Sequence, residues 1–487
     1  MGVLQTMPAS AAEDDGAPTP VAERIHALDA LRGVALLGIV WANVRQLLQP
    51  WDIGNLPVAL ASSEQLAWLD WQVFDALIDF KFITLFSLLF GMGFALQGER
   101  LAARGSHFSA IYLRRVGVLA LFGLAHGVLL YPAEVLLPYA IAGALLLALR
   151  RLSPANMLRI GMVLIGFTLV WTYELGSTGR LHVAITAATL VALIGAAVLS
   201  RWSWRLALVA WLVIVVAAAW GLTVVFDVSA MAAGAAHEYR EAQRLLAAIV
   251  AGPSSAWPDE FRVRQEGGFG DLLALHAKQY ALVLFYFVLT LLWRTLGLFL
   301  IGAGLFRSGM LTRATPQAWR RIALIGLSIG LPLSGLATWL QTGELLGRHD
   351  LRWPEFLHSL SALPLAAGIA GAVFALYESG ALRWMWARVE AAGRMALTNY
   401  VGQSLVLSAV AERWGLHLYG RLDGPQLTAL AIGVFATLAI LSHLWLRRYR
   451  MGPLEWLWRC GTYGTWLPNR ALSRGGRAGA PAGTAAP

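Results

Sequence analysis

One histidine and one carboxylate interrupt an otherwise apolar stretch of the sequence. Residues 121–143 read LFGLAHGVLLYPAEVLLPYAIAG and contain His126 and Glu134. A carboxylate beside an imidazole stabilises the imidazolium, while the other ring nitrogen takes a proton from an attacking hydroxyl or amine. The pair therefore predicts a general base, His126, oriented by Glu134. The same pair also suits a proton relay, and a lone histidine on an apolar face is often only a core residue.

Two cations and two more carboxylates stand at membrane-like positions. Lys81 follows Asp75 and Asp79 at the start of one apolar segment, and Arg294 lies in the middle of another. A charge at the centre of a membrane helix costs roughly 2.5–3.5 kcal/mol on insertion scales, which makes each a functional candidate. Lys81 or Arg294 is predicted to stabilise a developing oxyanion. The alternative is that these are structural contacts only, in which Lys81 pairs with Asp75 or Asp79 and Arg294 pairs with Glu134 or with an aspartate of the second segment.

The composition defines the elements that must position these groups. The chain is 58% hydrophobic and 14% charged, with a mean hydropathy of +0.61, whereas a soluble domain has about 25% charged residues. The expected fold is an all-α, polytopic membrane helix bundle of about 10–12 transmembrane helices, the fourth short enough to be re-entrant. The apolar segments cover residues 31–48, 77–98, 113–131, 134–149, 157–173, 181–199, 205–226, 280–306, 322–341, 359–378, 396–412 and 427–446.

Arginines mark one side of the membrane. They gather after the even-numbered segments, and the alternate loops are acidic or mixed. By the positive-inside rule both termini are then cytoplasmic. The predicted units are a disordered cytoplasmic tail (1–23), an N-terminal transmembrane half (24–226), an extracytoplasmic loop with an amphipathic helix (227–279), a C-terminal transmembrane half (280–465) and a second disordered cytoplasmic tail (466–487).

The two halves share an internal echo. TLFSLLFGMGFALQG at 84–98 and TLGLFLIGAGLFRSG at 295–309 align Thr, Leu and three Gly at one offset, and GLAH at 123–126 is echoed by GLAT at 335–338. Such matches are common by chance in a chain rich in Gly, Ala and Leu. If the echo is a duplication, it predicts two parallel six-helix repeats, as in some transporters.

Several functional classes are not supported by the sequence. A single cysteine, Cys460, excludes an intrachain disulfide and a cysteine-based metal cluster, and no metal is expected. The chain has no G-x-S-x-G elbow, P-loop or zincin motif. Its net charge of +10 is explained by topology, so no nucleic-acid partner is expected.

A group of arginines is expected to converge on the cytoplasmic side. Their guanidinium forks would suit the phosphates of a donor such as coenzyme A, although positive-inside topology alone would place most of them there. They are Arg24, Arg32, Arg114, Arg115 and Arg394.

From about residue 24 to 465 the chain resembles the YeiB-like family of bacterial inner-membrane proteins. The likeness lies in RIHALDALRGVALLGIVWANV, KFITLFSLLFGMGFAL, RRVGVLALFGLAHGVLLYPAEVLLPYA, RTLGLFLIGAGLF, GRMALTNYVGQS and GPLEWLWRCGTYG. That family is distantly similar to the heparan-α-glucosaminide N-acetyltransferase group. The resemblance implies an inner-membrane enzyme that passes an acyl group from cytosolic acyl-CoA or acetyl-CoA to a sugar on the far side.

The resemblance to the acyltransferase group extends to individual residues. Arg24, Asp29, Arg32 and Asn43 match its R-x4-D-x2-RG start, and they join the expected donor site together with Asn399 of GRMALTNYVGQS. Two departures matter. The group's catalytic histidine lies between the first two segments, where residues 49–81 contain none, and Ala133 and Glu134 replace the Gly-Asp usual in YeiB-like proteins. His126 is thus the remaining candidate base.

The leading hypothesis is an acyltransferase whose acceptor is a small molecule or glycan, embedded in membrane lipid and able to form a homodimer. The rival is a secondary transporter or exporter in which His126 and Glu134 couple proton movement. A membrane scaffold is a third reading.

Overall fold

The computed structural model describes residues 26–50, 65–78, 80–103, 108–175, 259–310, 314–345 and 353–471, and within them every regular element is a helix. The N-terminal helices are α1 (His26–Leu48), α2 (Gln65–Leu77), α3 (Lys81–Ala103), α4 (Phe108–Leu129), α5 (Leu136–Ala148) and α6 (Pro154–Leu175). The later helices are α7 (Asp259–Glu266), α8 (Phe269–Tyr286), α9 (Leu292–Arg307), α10 (Pro316–Leu345), α11 (Trp353–Glu378), α12 (Arg383–Arg394), α13 (Ala396–Ala411), α14 (Gly424–Trp445) and α15 (Pro453–Tyr463). A π-helical turn, Phe287–Leu291, joins α8 to α9.

The predicted class is confirmed: the chain is an all-α, polytopic membrane helix bundle. Helices α1, α4, α10, α11 and α14 are long and apolar enough to cross a membrane. Helix α5, predicted as the short fourth segment, has 13 residues and rises only about 20 Å, less than a hydrocarbon core of about 30 Å. The predicted segments 181–199 and 205–226, and the amphipathic helix expected within 227–279, lie outside the described residues.

Four described helices were not anticipated. Helices α2, α7, α12 and α15 have 13, 8, 12 and 11 residues and mix apolar with polar or charged positions. Such helices bury one face against the bundle, and a search for uniformly apolar stretches of about 20 residues overlooks them.

Helices α3 and α9 cross at two glycines of the internal echo. A Cβ on Gly91 would lie 2.1 Å from the carbonyl oxygen of Phe299, and a Cβ on Gly302 would lie 2.1 Å from that of Leu88. The separation in sequence between Gly91 and Gly302 equals the separation between Leu88 and Phe299. The contact is therefore reciprocal, as in a two-fold symmetric interface, and only glycine permits so close an approach.

Neighbouring helices repeat this symmetry. Helix α2, which precedes α3, packs on α10, while α8, which precedes α9, packs on α4. Likewise α3 packs on α11 and α9 packs on α5. The paired contacts support the duplication that the echo suggested.

The bundle has two distinct polar ends. At the first, which we call the hairpin end, the loop between α4 and α5 packs with the last turn of α1, with α7 and with the loop after α13 through Tyr131, Leu48, Phe261 and Tyr419. At the second, the arginine end, His26 Nδ1 lies 2.7 Å from Glu390 Oε1, which joins α1 to α12.

The chain continues to form hydrogen bonds beyond residue 465, where a disordered tail was expected to begin. Arg450 N donates to the carbonyl oxygen of Asn469, and Ala471 N donates to that of Arg448. Residues 466–471 thus pair with the segment after α14. Residues from 472 onward lie outside the described ranges.

Candidate active site

Glu134 is held at the N-terminus of α5. Its carboxylate accepts hydrogen bonds from the backbone N–H of Leu136 and, at 3.1 Å, of Leu137, and Tyr280 Oη of α8 donates at 2.7 Å. Glu134 is 1% exposed. Backbone donors at a helix N-terminus stabilise a carboxylate, so this site can hold a negative charge without bulk water.

His126 lies opposite, in the last turn of α4. Its Nδ1 is 4.0 Å from Glu134 Oε2, and the side chain is 1% exposed. The hairpin therefore brings together the two residues that the sequence paired. Neither ring nitrogen of His126 forms a hydrogen bond with any residue that the structure describes. The ring packs on Tyr400, with centroids 5.0 Å apart.

Asn43 joins this end of the site. Tyr131, whose ring centroid is 6.1 Å from that of His126, donates its hydroxyl to Asn43 Oδ1 at 3.3 Å and also to Gln46. The Nδ2 amide of Asn43 is buried and has no hydrogen-bond partner among the described residues. An amide donor without a partner beside a candidate base is placed to bind a carbonyl oxygen.

Lys81 belongs to a second buried constellation. Its Nζ donates to the carbonyl oxygen of Asp75 at 3.0 Å and lies 3.0 Å from Nδ1 of His358, which has its Nε2 2.8 Å from Asp75 Oδ2. Thr338 Oγ1 donates to the same carboxylate at 2.6 Å. Lys81 contacts Asp75 at the backbone carbonyl, whereas the expectation was a carboxylate partner, and Asp79 lies outside the described residues. The histidine is an addition.

His358 is not among the residues that the sequence predicted for the site. It lies at the start of α11, one residue before the predicted segment 359–378. Ionisable residues inside membrane segments are functional candidates. A segment boundary placed one turn earlier would therefore have included His358.

Thr338 is the residue that the echo aligned with His126. His126 lies 4.0 Å from the Glu134 carboxylate, and Thr338 donates a hydrogen bond to the Asp75 carboxylate. The two echoed positions thus both lie beside a carboxylate.

Arg294 lies between the two constellations. Its Nη2 donates to Thr84 Oγ1 at 3.0 Å, and its guanidinium carbon is 4.8 Å from the ring centroid of Phe80. The hydrogen bond joins α9 to α3 close to their glycine crossing. This geometry is that of an interhelical contact.

Three arginines gather at the arginine end. Arg115 of α4 is within electrostatic range of Arg459 and Arg32, and its guanidinium carbon is 3.8 Å from the ring centroid of Trp458. Arg32 also pairs with Asp29 at 2.6 Å. Like charges at close range repel one another, so this cluster favours binding of an anion. Sequence analysis anticipated Arg32 and Arg115 and missed Arg459.

The other predicted donor-site residues are placed differently. Asn399 donates from Nδ2 to the carbonyl oxygen of Ala392 at 3.0 Å and to Ser442 at 2.9 Å, so its amide fastens α13 to α12 and α14. Arg114 is exposed and Arg394 is half-buried. Arg24 lies outside the described residues.

A carboxylate also supports the arginine end. Glu455 of α15 accepts hydrogen bonds from the backbone N–H of Leu397 at 2.7 Å and of Thr398 at 3.0 Å, and from the Thr398 hydroxyl at 2.6 Å. It thereby caps the first turn of α13. Burial raises the pKa of Glu455 above its usual value, and the hydrogen bonds from Thr398 oppose this effect.

Two helices connect the ends with the same spacing. Arg115 and His126 on α4, and Arg32 and Asn43 on α1, are each eleven residues apart, or about 16 Å at 1.5 Å per residue.

Within the described ranges no group of three or more His, Cys, Asp or Glu side chains is arranged to hold a metal ion.

These features define a multi-pass membrane helix bundle with buried polar sites between its helices. A family model described as a protein of unknown function (DUF418) matches residues 305–465. The chain is 29% identical to the uncharacterised protein YeiB of Escherichia coli (strain K12), over 90% of this chain and 96% of that protein. The predicted resemblance to the YeiB-like family is thereby confirmed.

A second relative also matches nearly the whole chain. The uncharacterised protein YxaH of Bacillus subtilis (strain 168) is 27% identical, over 93% of this chain and 97% of that protein. No solved structure matches the chain.

Proposed function

We propose that this protein is a transmembrane acyltransferase that moves an acyl group from cytosolic acyl-CoA to an extracytoplasmic hydroxyl or amine, such as that of a sugar. In this proposal the chain lies in the bacterial inner membrane with both termini in the cytoplasm, so the hairpin end faces outward. The observation that carries the proposal is the layout of α4. It holds Arg115 of the arginine cluster near one end and His126 of the buried histidine–carboxylate pair at the other, about 16 Å apart.

The arginine cluster would bind the phosphates of coenzyme A. Guanidinium groups form paired hydrogen bonds with phosphate oxygens, and an anion would relieve the repulsion between Arg32, Arg115 and Arg459. An extended pantetheine arm bound along α4 would then reach towards His126. Arg32 and Asn43 have the same spacing on α1, which supports the same path from the arginine end to the hairpin end.

Groups of the hairpin end can carry out every proton transfer of the proposed reaction. His126 Nδ1 faces Glu134, so Nε2 takes the proton from the acceptor as its oxygen or nitrogen bonds to the thioester carbon. The carbon–sulfur bond breaks, and the protonated imidazole returns the proton to the departing thiolate. Glu134 stabilises the imidazolium, and Asn43 Nδ2 donates a hydrogen bond to the carbonyl oxygen. Asn43 takes the role that the sequence assigned to Lys81 or Arg294.

Transfer by purified protein in vesicles tests the proposal. Loss of a general base typically lowers rates by about 10²–10⁴-fold, so His126→Ala should lose nearly all transfer. Arg115→Ala should weaken coenzyme A binding measured by calorimetry, while Arg320→Ala, an exposed arginine at the start of α10, should not. Full transfer by both His126→Ala and Glu134→Ala would refute the assignment.

The transporter alternative has one observation in its favour. The reciprocal crossing of Gly91 and Gly302 is typical of a duplicated fold, and some secondary transporters are built from such repeats. In that case His126 and Glu134 would couple substrate movement to protons. Proton-coupled counterflow in the absence of coenzyme A would favour transport, whereas saturable binding of a coenzyme A thioester would favour the enzyme.

A further inference from the structure

A cleft opens at the hairpin end, between α7, the start of α8 and the loop that follows α13. Its volume is about 260 Å³. Arg264 and Glu412 line its inner wall, and Phe269, Arg413 and Trp414 lie at its exposed rim. A water molecule occupies about 30 Å³ of liquid, so the cleft has room for one molecule of the size of a single sugar ring.

The inner wall is a buried ionic cluster. Arg264 Nη1 donates to Glu412 Oε1, and its Nε lies 3.4 Å from Glu260 Oε1, which also accepts a hydrogen bond from Tyr419 at 2.7 Å. Arg413 Nη1 donates to the carbonyl oxygen of Glu266 at 2.9 Å. These bonds connect α7 to the loop after α13 and make the wall of the cleft a built surface.

Two polar atoms of this wall, Arg264 Nε and Glu412 Oε2, have no hydrogen-bond partner among the described residues, and the carboxylate oxygen is the one that can accept. Glu412 is 1% exposed. A buried carboxylate oxygen without a donor is costly, so a bound hydroxyl that donates to it would be stabilised. Because Glu412 lines the cleft, a molecule in the cleft can supply that donor.

The charges and the rim restrict what can bind. Two cations, Arg264 and Arg413, and one carboxylate, Glu412, line the cleft, and a second carboxylate, Glu260, lies 3.4 Å from Arg264 behind the wall. With Glu260 counted, the charges offset one another, which favours a neutral ligand with both donors and acceptors. Trp414 is 52% exposed at the rim and offers a flat apolar face. A ring that has hydroxyl groups at its edge and an apolar face satisfies both conditions.

Helix α8 connects the cleft to the candidate base. Leu272, His276 and Tyr280 lie at four-residue intervals on its buried face; Leu272 lines the cleft and Tyr280 donates to Glu134. The rise from Leu272 to Tyr280 is about 12 Å. The cleft and the Tyr280–Glu134 hydrogen bond thus lie about 12 Å apart along one face of α8.

We infer that this cleft binds the acceptor as a neutral hydroxylated ring, with one hydroxyl donating to Glu412 Oε2 and the ring stacked on Trp414. The role as acceptor site rests on the proposed transferase function, whereas the binding does not. Cationic amines and anionic acids should bind less well than neutral glycosides of the same size.

Full-length protein in lipid nanodiscs provides the test, with methyl glucopyranoside as the neutral probe and its amino and carboxylate analogues as charged ones. Saturation-transfer NMR should show saturable binding of the neutral probe, and Trp414→Ala should weaken it at least tenfold. Glu412→Gln should also weaken it, because Arg264 holds the single amide oxygen and the amide NH2, which cannot accept a hydrogen bond, takes the place of Oε2. Trp466→Ala, at a residue 77% exposed near the arginine end, is the matched control and should not alter binding.

The outcomes separate this inference from the proposed function. Equal binding by wild type and Trp414→Ala, or preference for a charged analogue, would overturn the cleft assignment even if coenzyme A binds. Binding of the glycoside that depends on Trp414, in a protein that neither binds coenzyme A nor transfers an acyl group, would support the cleft and refute the transferase.

Discussion

Adding a single methyl group at the α3–α9 crossing should destabilise the protein, although the same change elsewhere in a helix should not. In Gly91→Ala the new Cβ would lie 2.1 Å from the Phe299 carbonyl oxygen and 2.8 Å from the Phe299 carbonyl carbon, where ordinary contact begins near 3.4 Å. The helices would have to separate by about 1 Å. Overpacking of this kind costs roughly 1–3 kcal/mol.

The matched control should not lower the stability of the protein. A Cβ on Gly433 in α14 would meet nothing within 4 Å, so Gly433→Ala should be neutral or stabilising by up to about 1 kcal/mol, the difference in helix propensity. Gly302→Ala should match Gly91→Ala because the contact is reciprocal. The double variant should cost less than the two single variants together, because one separation of the helices relieves both clashes.

Thermal unfolding in detergent, followed by circular dichroism at several heating rates, measures these effects. We expect the Tm of Gly91→Ala to fall by a few degrees and that of Gly433→Ala to stay the same or rise. An equal response to both substitutions would show that the helices do not cross as described. Strict additivity of Gly91→Ala and Gly302→Ala would argue against a shared contact and hence against the two-fold arrangement.

Three other predictions concern the polar contacts. Tyr280→Phe removes a 2.7 Å hydrogen bond to Glu134, and transfer assays should show kcat reduced about tenfold with little change in acceptor KM; unchanged kcat would dissociate Glu134 from the reaction. Arg45→Met removes the ion pair to Asp70, which is half-buried and keeps a 2.7 Å hydrogen bond from Thr428, so it should cost less than the roughly 3–5 kcal/mol of a fully buried pair in thermal unfolding, most of it recovered by adding Asp70→Leu. Because burial raises the pKa of Glu455, its contribution to stability is present below the unfolded-state pKa, near 4.3, and is lost as pH rises through the higher folded-state pKa. Glu455→Gln should flatten that decline in unfolding measured against pH, and an unchanged profile would contradict the assignment.

The hairpin pair was predictable because it is local. His126 and Glu134 are separated by eight residues and a proline-containing turn, so two apolar segments joined by a tight loop bring their ends together in almost any packing. Arg32 and Arg115 were predictable for a related reason, since membrane topology places them on one side. Their approach to Arg459 depends on how α15 packs on α4, which periodicity does not specify.

The sequence by itself determined the apolar, all-helical character of this protein, the places of its long apolar helices within the described residues and the approach of His126 to Glu134. Hydropathy and short loops are enough for these features, because they depend on neighbouring residues. Only the tertiary structure decided that His358 meets Asp75 and Lys81, and that Glu412 meets Arg264 beside an open cleft. These partners are separated by more than a hundred residues in sequence, so their contacts depend on which helix faces pack together.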